Sequence, residues 1–275
     1  MLKDLAPGKT VTGVFICARK TVKIDRNGNK FLSLRLTDAS GGINAVMWQA
    51  SEAAINAFSA HNVVKVQGVV AEDNYGDPQL KLERIRAAGA GDDFNPADLM
   101  RSSPRNLEEM EAELAEIRGS IRNADLAALL DEVFGDGDMY RAFCDAPAAK
   151  GFHHDYLHGL LEHTVSVCRV ADAIASQYPE ASRDLLVAGA ILHDIGKTEE
   201  FDYETAIDYS DSGRLLGHIV LGEKIVADAI GRLEHFPEEL GLQLRHLILS
   251  HHGEYEYGSP KRPKTLEAFI LNHAD

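Results

Sequence analysis

The chain has 275 residues, 45% of them hydrophobic; the length predicts two domains with ample material for a buried core, and the composition agrees with a soluble globular protein. Its formal net charge of -15 argues against binding of nucleic acid by the whole surface. The charge is uneven: residues 1–90 carry 12 Lys and Arg against 8 Asp and Glu, and residues 91–275 carry 16 against 35, so a basic N-terminal module can still follow a phosphate backbone.

The N-terminal third has a β-like pattern of short segments rich in β-branched or alternating apolar residues. The predicted strands are Val11–Ile24, Phe31–Leu36, Ile43–Trp48, Val63–Val70 and Leu80–Ile85. A hairpin signal, Asp25 to Asn29, joins the first two strands, and a helical patch, Ser51–Phe58, precedes the fourth. This order is typical of the OB-type barrel, which commonly presents one face to single-stranded nucleic acid. We therefore expect a five-stranded OB-type β-barrel over residues 1–90.

Aromatic and basic side chains of this barrel are candidate contacts for bases and phosphates. The candidate stacking residues are Phe15, Phe31, Trp48 and Tyr75. We favour Phe31 and Arg35, with Lys23 and Lys30 supplying further charge. Because Trp48 ends an apolar strand, we expect it to pack in the core instead.

Residues 91–106 contain Asn95-Pro96 and Ser102-Ser103-Pro104 between patterned segments, which predicts a linker. The pattern after residue 106 is helical, with amphipathic segments at Leu107–Ile117, Asp125–Phe134 and Leu157–Ala175. We therefore expect an all-α helical bundle over residues 107–275 and an α+β multidomain protein overall. Apolar faces on these helices leave a homo-oligomer open.

The strongest chemical signal is the run from Ile191 to Lys197, where an apolar helix leads into the adjacent pair His193-Asp194 before Gly196. A buried carboxylate is costly unless a metal or hydrogen bonds compensate it. Imidazole and carboxylate ligands together suit first-row divalent metals, and one carboxylate can bridge two ions. The run therefore predicts a metal site with Asp194 as its bridge.

Further ligand-type side chains lie on or beside apolar helices. A single such histidine is more often a core residue with its hydrogen bonds satisfied, but five such positions in one domain indicate a metal site. They are His163, His193-Asp194, His218, His251-His252 and Asp275.

This ordered series, carried by helices, resembles that of the HD-domain phosphohydrolases. The resemblance implies that His163, His193, Asp194 and Asp275 hold a first divalent ion. It also implies that His218, with His251 or His252, completes a second site around Asp194. We expect one or two ions per chain and favour Mn²⁺, while Fe, Co, Zn and Ni stay open because these ligands accept them as well.

The local sequence points to a narrower family. Several stretches of the chain are similar to those of the YhaM-type 3'-5' exoribonucleases, in which an OB domain precedes the HD domain. They are Phe152-His153-His154, Gly159 to Thr164, His193 to Lys197, and Ser250 to Gly253 followed by Gly258 to Lys261. The resemblance covers essentially the whole chain. It implies a metal-dependent hydrolase that degrades single-stranded RNA to nucleoside 5'-monophosphates. The sequence does not separate RNA from single-stranded DNA as the substrate, so single-stranded DNA stays open. The alternatives are an HD phosphohydrolase of small nucleotides and a non-enzymatic single-strand-binding protein with a structural metal site.

Other residues near these motifs have candidate roles. Lys197 would neutralise phosphate oxygens, or serve only as a cation at a helix C-terminus. His154 would hold the phosphate or donate a proton to the leaving oxygen, or simply open a helix. Lys261 and Arg262 offer a positive rim for nucleic acid, or form a solvated loop. Asp275, as the last residue, is expected to fray.

The three cysteines are far apart and odd in number, so they predict neither disulfides nor a thiolate metal site. A reducing cytoplasm is the expected compartment. The start of the chain lacks an apolar signal core, and apolar runs such as Leu185–Leu192 are too short to cross a bilayer. We therefore expect no membrane anchor.

Overall fold

The computed structural model describes residues 1–73, 75–135, 137–150 and 154–275. The chain forms two compact units, Met1–Ser102 with Glu204–Ala206, and Ser103–Tyr203 with Ile207–Asp275. Among the described residues, no helix combines the length and apolar character needed to span a membrane. Two residues of the predicted motifs, Phe152 and His153, lie outside the described residues.

The first unit contains a closed five-stranded barrel with the strand order β1-β2-β3-β5-β4. Its strands are β1 (Thr10–Ile24), β2 (Lys30–Asp38), β3 (Gly41–Met47), β4 (Val63–Glu72) and β5 (Pro78–Ala87), with the short helix α1 (Glu52–Asn56) before β4. The β3–β5 pairing is parallel and the others are antiparallel. This barrel confirms the predicted OB-type fold.

Local chemistry explains the barrel's turn and its closure. The Asp25 carboxylate accepts the backbone N–H groups of Asn27 and Asn29, both at 2.8 Å, and so closes the turn between β1 and β2. The β4–β5 register shifts between Gln67 and Gly68. A Cβ at Gly68 would lie 2.3 Å from the Lys81 carbonyl oxygen, so only glycine permits the close approach that this bulge needs.

Two expectations for the barrel's aromatic residues are wrong. Phe15 is 8% exposed and belongs to the barrel core, so it offers no stacking surface. Trp48 is 53% exposed instead of buried. Strand β3 ends at Met47, which packs against the barrel core, and Trp48 lies just beyond the end of the strand.

The second unit is mostly helical. Its helices are α2 (Leu107–Gly119), α3 (Ala124–Phe134), α4 (Asp138–Asp145), α5 (Gly159–Ala175), α6 (Arg183–Leu192), α7 (Lys197–Glu200), α8 (Asp211–Arg232), α9 (Glu238–Ser250) and α10 (Leu266–Ala274). Helix α6 lies at the centre, with every residue from Leu185 to Leu192 buried. A small two-stranded sheet, Phe201–Asp202 with Asp208–Tyr209, interrupts the helical pattern, which the sequence did not indicate.

Candidate metal centre

Five helices bring ligand-type side chains to one place in the second unit. His163 lies within α5 and His218 within α8. The other ligands follow helix ends: His193 and Asp194 come directly after α6, His251 and His252 after α9, and Asp275 after α10. Residues separated by more than a hundred positions in the chain therefore meet around the HD motif.

The Asp194 carboxylate, 2% exposed, divides these residues into two groups. Its Oδ2 lies 3.4 Å from His163 Nε2 and 3.3 Å from His193 Nε2. Its Oδ1 lies 3.4 Å from His218 Nε2 and 3.6 Å from His251 Nε2. Asp194 therefore stands between the two groups, as expected for a bridging ligand.

We call the two groups site 1 and site 2. Site 1 comprises His163, His193, Asp194 and Asp275, and site 2 comprises His218, His251 and His252. Within each group, the potential ligand atoms all lie within 4.8 Å of one another. Both His251 and His252 belong to site 2, so the structure does not single out one of them.

Hydrogen bonds at the far side of each ring orient the histidines. The Nδ1 atoms of His193, His251 and His252 lie 2.8, 2.7 and 2.9 Å from the carbonyl oxygens of Ala190, Ile248 and Tyr257. A carbonyl oxygen only accepts, so each Nδ1 carries the proton and donates it. The Nε2 atoms of these rings therefore point toward the site, which is the orientation that a metal ligand needs.

The unsatisfied polar atoms of the described residues test whether a metal fits. Asp194 Oδ1, His218 Nε2 and His251 Nε2 are buried and have no hydrogen-bond partner among those residues. Leaving such atoms unpaired costs about 1–3 kcal/mol each, and here three of them converge. A mixed set of nitrogen and oxygen donors suits a divalent first-row cation. The side chains present therefore fit one or two divalent ions.

The electrostatics of the group agree with this fit. Burial opposes ionisation of Asp194, but Lys197 and His193 outweigh burial and hold its pKa well below the ordinary value. Burial also opposes protonation of His193, yet Asp194 and Asp275 raise the pKa of His193 to about 10. Burial lowers the pKa of His251 to about 4. The Asp194 carboxylate therefore stays negatively charged, and a protonated His193 balances part of that charge when no metal is bound.

Asp275 lies beside His163, held there by contacts of its side chain and of helix α10. Its side chain is 18% exposed, and its Oδ1 lies 2.9 Å from His163 Nε2. Its backbone N–H donates to the Leu271 carbonyl oxygen at 2.9 Å, and the Thr265 side chain caps the start of α10. The helix therefore carries Asp275 into site 1.

Two further candidates lie beside the metal centre. Lys197 Nζ is 2.6 Å from Asp194 Oδ2, and Lys197 begins the four-residue helix α7, just after the end of α6. The His154 ring centroid is 5.9 Å from that of His163, and its Nδ1 lies 2.8 Å from the Tyr156 hydroxyl oxygen. Tyr156 in turn donates to Glu162 at 2.8 Å. No spacing in the sequence marks Tyr156 and Glu162 as partners of His154, so neither was predicted.

The barrel carries a separate surface with the character of a nucleic-acid contact. A cavity of about 340 Å³ is lined by several of the predicted residues, among them Lys23, Phe31, Trp48 and Tyr75. The Phe31 and Trp48 ring centroids are 4.5 Å apart. Exposed aromatic rings beside a lysine suit base stacking next to a phosphate backbone.

The remaining predicted contacts are more constrained. Lys30 forms an ion pair with Glu52 at 2.5 Å. Arg35 lies outside the lining of that cavity and donates to Asn44 at 3.4 Å. In the second unit, Arg262 pairs with Glu254 at 2.6 Å. Lys261 instead lines a different cavity of about 500 Å³, so it is the less constrained of the two rim residues.

Comparison with known proteins gives the same two-part organisation. A family model described as the HD domain matches residues 160–275, and one described as an OB-fold nucleic acid binding domain matches residues 11–88. Among solved structures, the HD domain of the phosphodiesterase PgpH from Listeria monocytogenes is 25% identical, with a TM-score of 0.29, and covers 41% of this chain and 63% of that chain.

Curated relatives match nearly the whole chain. The 3'-5' exoribonuclease YhaM of Bacillus velezensis is 38% identical over 269 residues, covering 98% of this chain and 84% of that protein. YhaM of Listeria monocytogenes is 38% identical over 280 residues, covering 100% and 86%. YhaM of Bacillus subtilis is 37% identical over 268 residues, covering 98% and 84%. An OB-fold domain followed by an HD domain, matched at this identity over this length, shows that the chain belongs to the YhaM family of 3'-5' exoribonucleases.

Proposed function

We propose that this protein is a divalent-metal-dependent 3'-5' exoribonuclease that hydrolyses single-stranded RNA to nucleoside 5'-monophosphates. The observation that carries the proposal is the Asp194 carboxylate, whose two oxygens face two separate groups of imidazole nitrogens at 3.3–3.6 Å. Two divalent cations held by these two groups would supply the chemistry used for in-line displacement at phosphorus.

A pair of divalent ions held by sites 1 and 2 would supply Lewis-acid activation of water and neutralise charge on the phosphate. The chain's own residues do the rest. Lys197, with its ammonium group beside Asp194, is placed to neutralise a non-bridging phosphate oxygen. His154, whose ring is held by Tyr156, is placed at the edge of site 1 to donate a proton to the leaving 3'-oxygen of the shortened RNA.

The domains divide the work. We assign single-strand binding to residues 1–90, a linker role to residues 91–106 and catalysis to residues 107–275. Stacking of bases on Trp48 and Phe31 requires no sequence preference, since every base has a π-face. Lys23 supplies charge on the barrel and Lys261 supplies charge on the catalytic unit. Single-stranded DNA, which offers the same bases and phosphates, is a second substrate to test.

Three finer assignments accompany this function. We propose Mn²⁺ as the activating ion; imidazole nitrogens and carboxylate oxygens together accept it, as they accept Fe, Co, Zn and Ni. The three cysteines are free and buried, which supports a reducing cytoplasm as the compartment. Exposed apolar side chains on α8, Leu215, Leu216 and Val220, support a contact between copies of the chain.

The test uses one RNA oligomer labelled at either end. With Mn²⁺, the 5'-labelled oligomer should give a ladder of progressively shorter products, and the 3'-labelled oligomer should release labelled mononucleotide at once. Chelation of the metal and the substitution Asp194→Asn should each abolish both results. An oligomer that stays intact with Mn²⁺, while a small phosphodiester is hydrolysed, would instead indicate a small-nucleotide phosphohydrolase.

A further inference from the structure

Helix α8 contains a break immediately before His218. Gly217 has φ +74° and ψ 157°, a backbone conformation that favours glycine. The break removes the His218 N–H from the helical hydrogen-bond series, in which it would donate to the carbonyl four residues earlier. Because this N–H lies in a largely buried region, it needs another acceptor.

Glu200 supplies that acceptor and holds the imidazole as well. Its Oε1 lies 3.0 Å from the backbone nitrogen of His218 and 3.0 Å from His218 Nδ1. An ionised carboxylate only accepts, so Nδ1 carries the proton. The ring is thereby fixed with its Nε2 directed to Asp194 Oδ1, 3.4 Å away.

The packing of the main chain around Glu200 makes this contact rigid. Glu200 is 6% exposed and ends α7. A Cβ at Gly213 would lie 2.2 Å from the Glu200 carbonyl oxygen, so α8 rests directly on the backbone of Glu200. A carboxylate buried this deeply must have hydrogen-bonded partners to offset its loss of hydration.

His218 differs in this respect from the other histidines of site 2. His251 and His252 direct their Nδ1 atoms to backbone carbonyl oxygens, whereas His218 directs its Nδ1 to a carboxylate. A carboxylate behind a ligating histidine raises the basicity of that imidazole more than a neutral carbonyl does. Among the histidines of site 2, His218 is therefore the ring whose orientation depends on a carboxylate side chain.

We infer that Glu200 is a positioning residue that sets the affinity of site 2 for its cation by acting through His218. This inference rests on the metal-binding part of the proposed function and not on the identity of the nucleic acid. Site 1 has no contact with Glu200 among the hydrogen bonds of the described residues, so the affinity of site 1 should be independent of Glu200.

The experiment compares Mn²⁺ binding to the full chain with Glu200→Ala, Glu200→Gln and the control Glu199→Gln, an exposed glutamate one residue away. Equilibrium dialysis with metal analysis should give two ions for the wild-type protein. Loss of a partner behind a metal ligand typically weakens binding by about 10–100-fold. We expect this loss for one of the two ions in Glu200→Ala, an intermediate loss in Glu200→Gln, which keeps an acceptor oxygen, and no change in Glu199→Gln.

A metal-free measurement makes the result specific to positioning. In nitrogen-15 NMR spectra of the apoprotein, the His218 ring of the wild type should show protonation at Nδ1 alone. Glu200→Ala should give a mixture of the two tautomers. Glu200→Gln, with nearly the same volume and an acceptor oxygen, should keep the fold and most of the wild-type tautomer, so a failure of Glu200→Ala to fold would leave the test intact.

The outcomes separate this inference from the proposed function. If the wild type binds no divalent ion, the metal site itself is wrong. If the wild type binds two ions and both Glu200 variants do so with unchanged affinity and an unchanged His218 tautomer, only the role of Glu200 is wrong. An equal loss of affinity for both ions, with a lowered melting temperature, would likewise contradict it by indicating a general structural role.

Discussion

The substitution Gly196→Ala tests how closely the HD turn and helix α8 must approach. A Cβ at Gly196 would lie 2.0 Å from the His218 carbonyl oxygen and 2.4 Å from the Gly222 nitrogen. Both atoms belong to the main chain of α8, so no side-chain rotation relieves the overlap. The φ of Gly196 is -65°, which alanine adopts without strain, so the substitution isolates the steric effect.

The expected magnitude follows from these contacts. Helix α8 must move by about 1 Å, and overpacking of this kind costs about 1–3 kcal/mol. For a unit of this size, each kcal/mol lowers the melting temperature by about 2–4 °C. We therefore expect the melting temperature of the metal-free protein to fall by about 2–12 °C. The same movement carries His218 away from Asp194, so site 2 should bind Mn²⁺ more weakly.

The matched control is Gly231→Ala, because Gly231 also lies in α8 and a Cβ there would meet nothing within 4 Å. Gly231 lies in the last turn of α8, where the gain from alanine is at most the roughly 0.5–1 kcal/mol of a helix interior, so this control should melt at or slightly above the wild-type temperature. The measurement is differential scanning calorimetry in the presence of a chelator. Equal melting temperatures for Gly196→Ala and Gly231→Ala would refute the close approach.

Three further predictions concern the two binding regions. Trp48→Ala should weaken RNA binding by about 1–3 kcal/mol through lost base stacking, as measured by fluorescence anisotropy. The control Tyr178→Ala removes an exposed aromatic side chain of the second unit and should leave RNA binding unchanged. Because the pKa of His193 is raised to about 10, metal binding below pH 10 must displace its proton, so the affinity for the metal should fall as pH falls. The pKa of His251 is lowered to about 4, so His251 should release no proton when metal binds at neutral pH. Calorimetry in buffers of different ionisation enthalpy measures this release, and its absence at pH 7 would contradict the assignment. Lys197→Met should lower kcat on RNA by about 10²–10³-fold if the ammonium stabilises charge developing on the phosphate, and an effect confined to KM would instead indicate simple substrate binding.

Local patterns in the sequence were sufficient for the fold. Alternating apolar residues with a turn at Asp25 to Asn29 predicted the barrel, because side chains alternate across a strand whatever the rest of the chain does. The helical period of three to four residues predicted α5 in the same way. The fused pair His193-Asp194 after the apolar helix α6 was informative because a buried carboxylate requires compensation. These signals depend only on neighbours along the chain.

Long-range packing decided the rest of the site. Trp48 is exposed because β3 ends one residue before it, and Lys30 is neutralised by Glu52, a residue 22 positions away. Neither the exposure of Trp48 nor the ion pair of Lys30 follows from the repeat of apolar residues along the chain. The contact of Glu200 with His218 requires the backbones of α7 and α8 to touch. Glycines such as Gly213 permit this close approach, but the sequence does not show which residues they approach.

The sequence by itself therefore determined which residue types gather around a metal and which domains carry them. Only the tertiary structure decided how Asp194 divides its two oxygens between the groups, which ring nitrogens face the candidate metal centre, and how α10 holds Asp275 beside His163. The physical reason is one of scale. Secondary structure is set within a few residues, whereas a metal site requires ångström-level agreement between helix ends far apart in the chain, and only the packing of the core supplies that agreement.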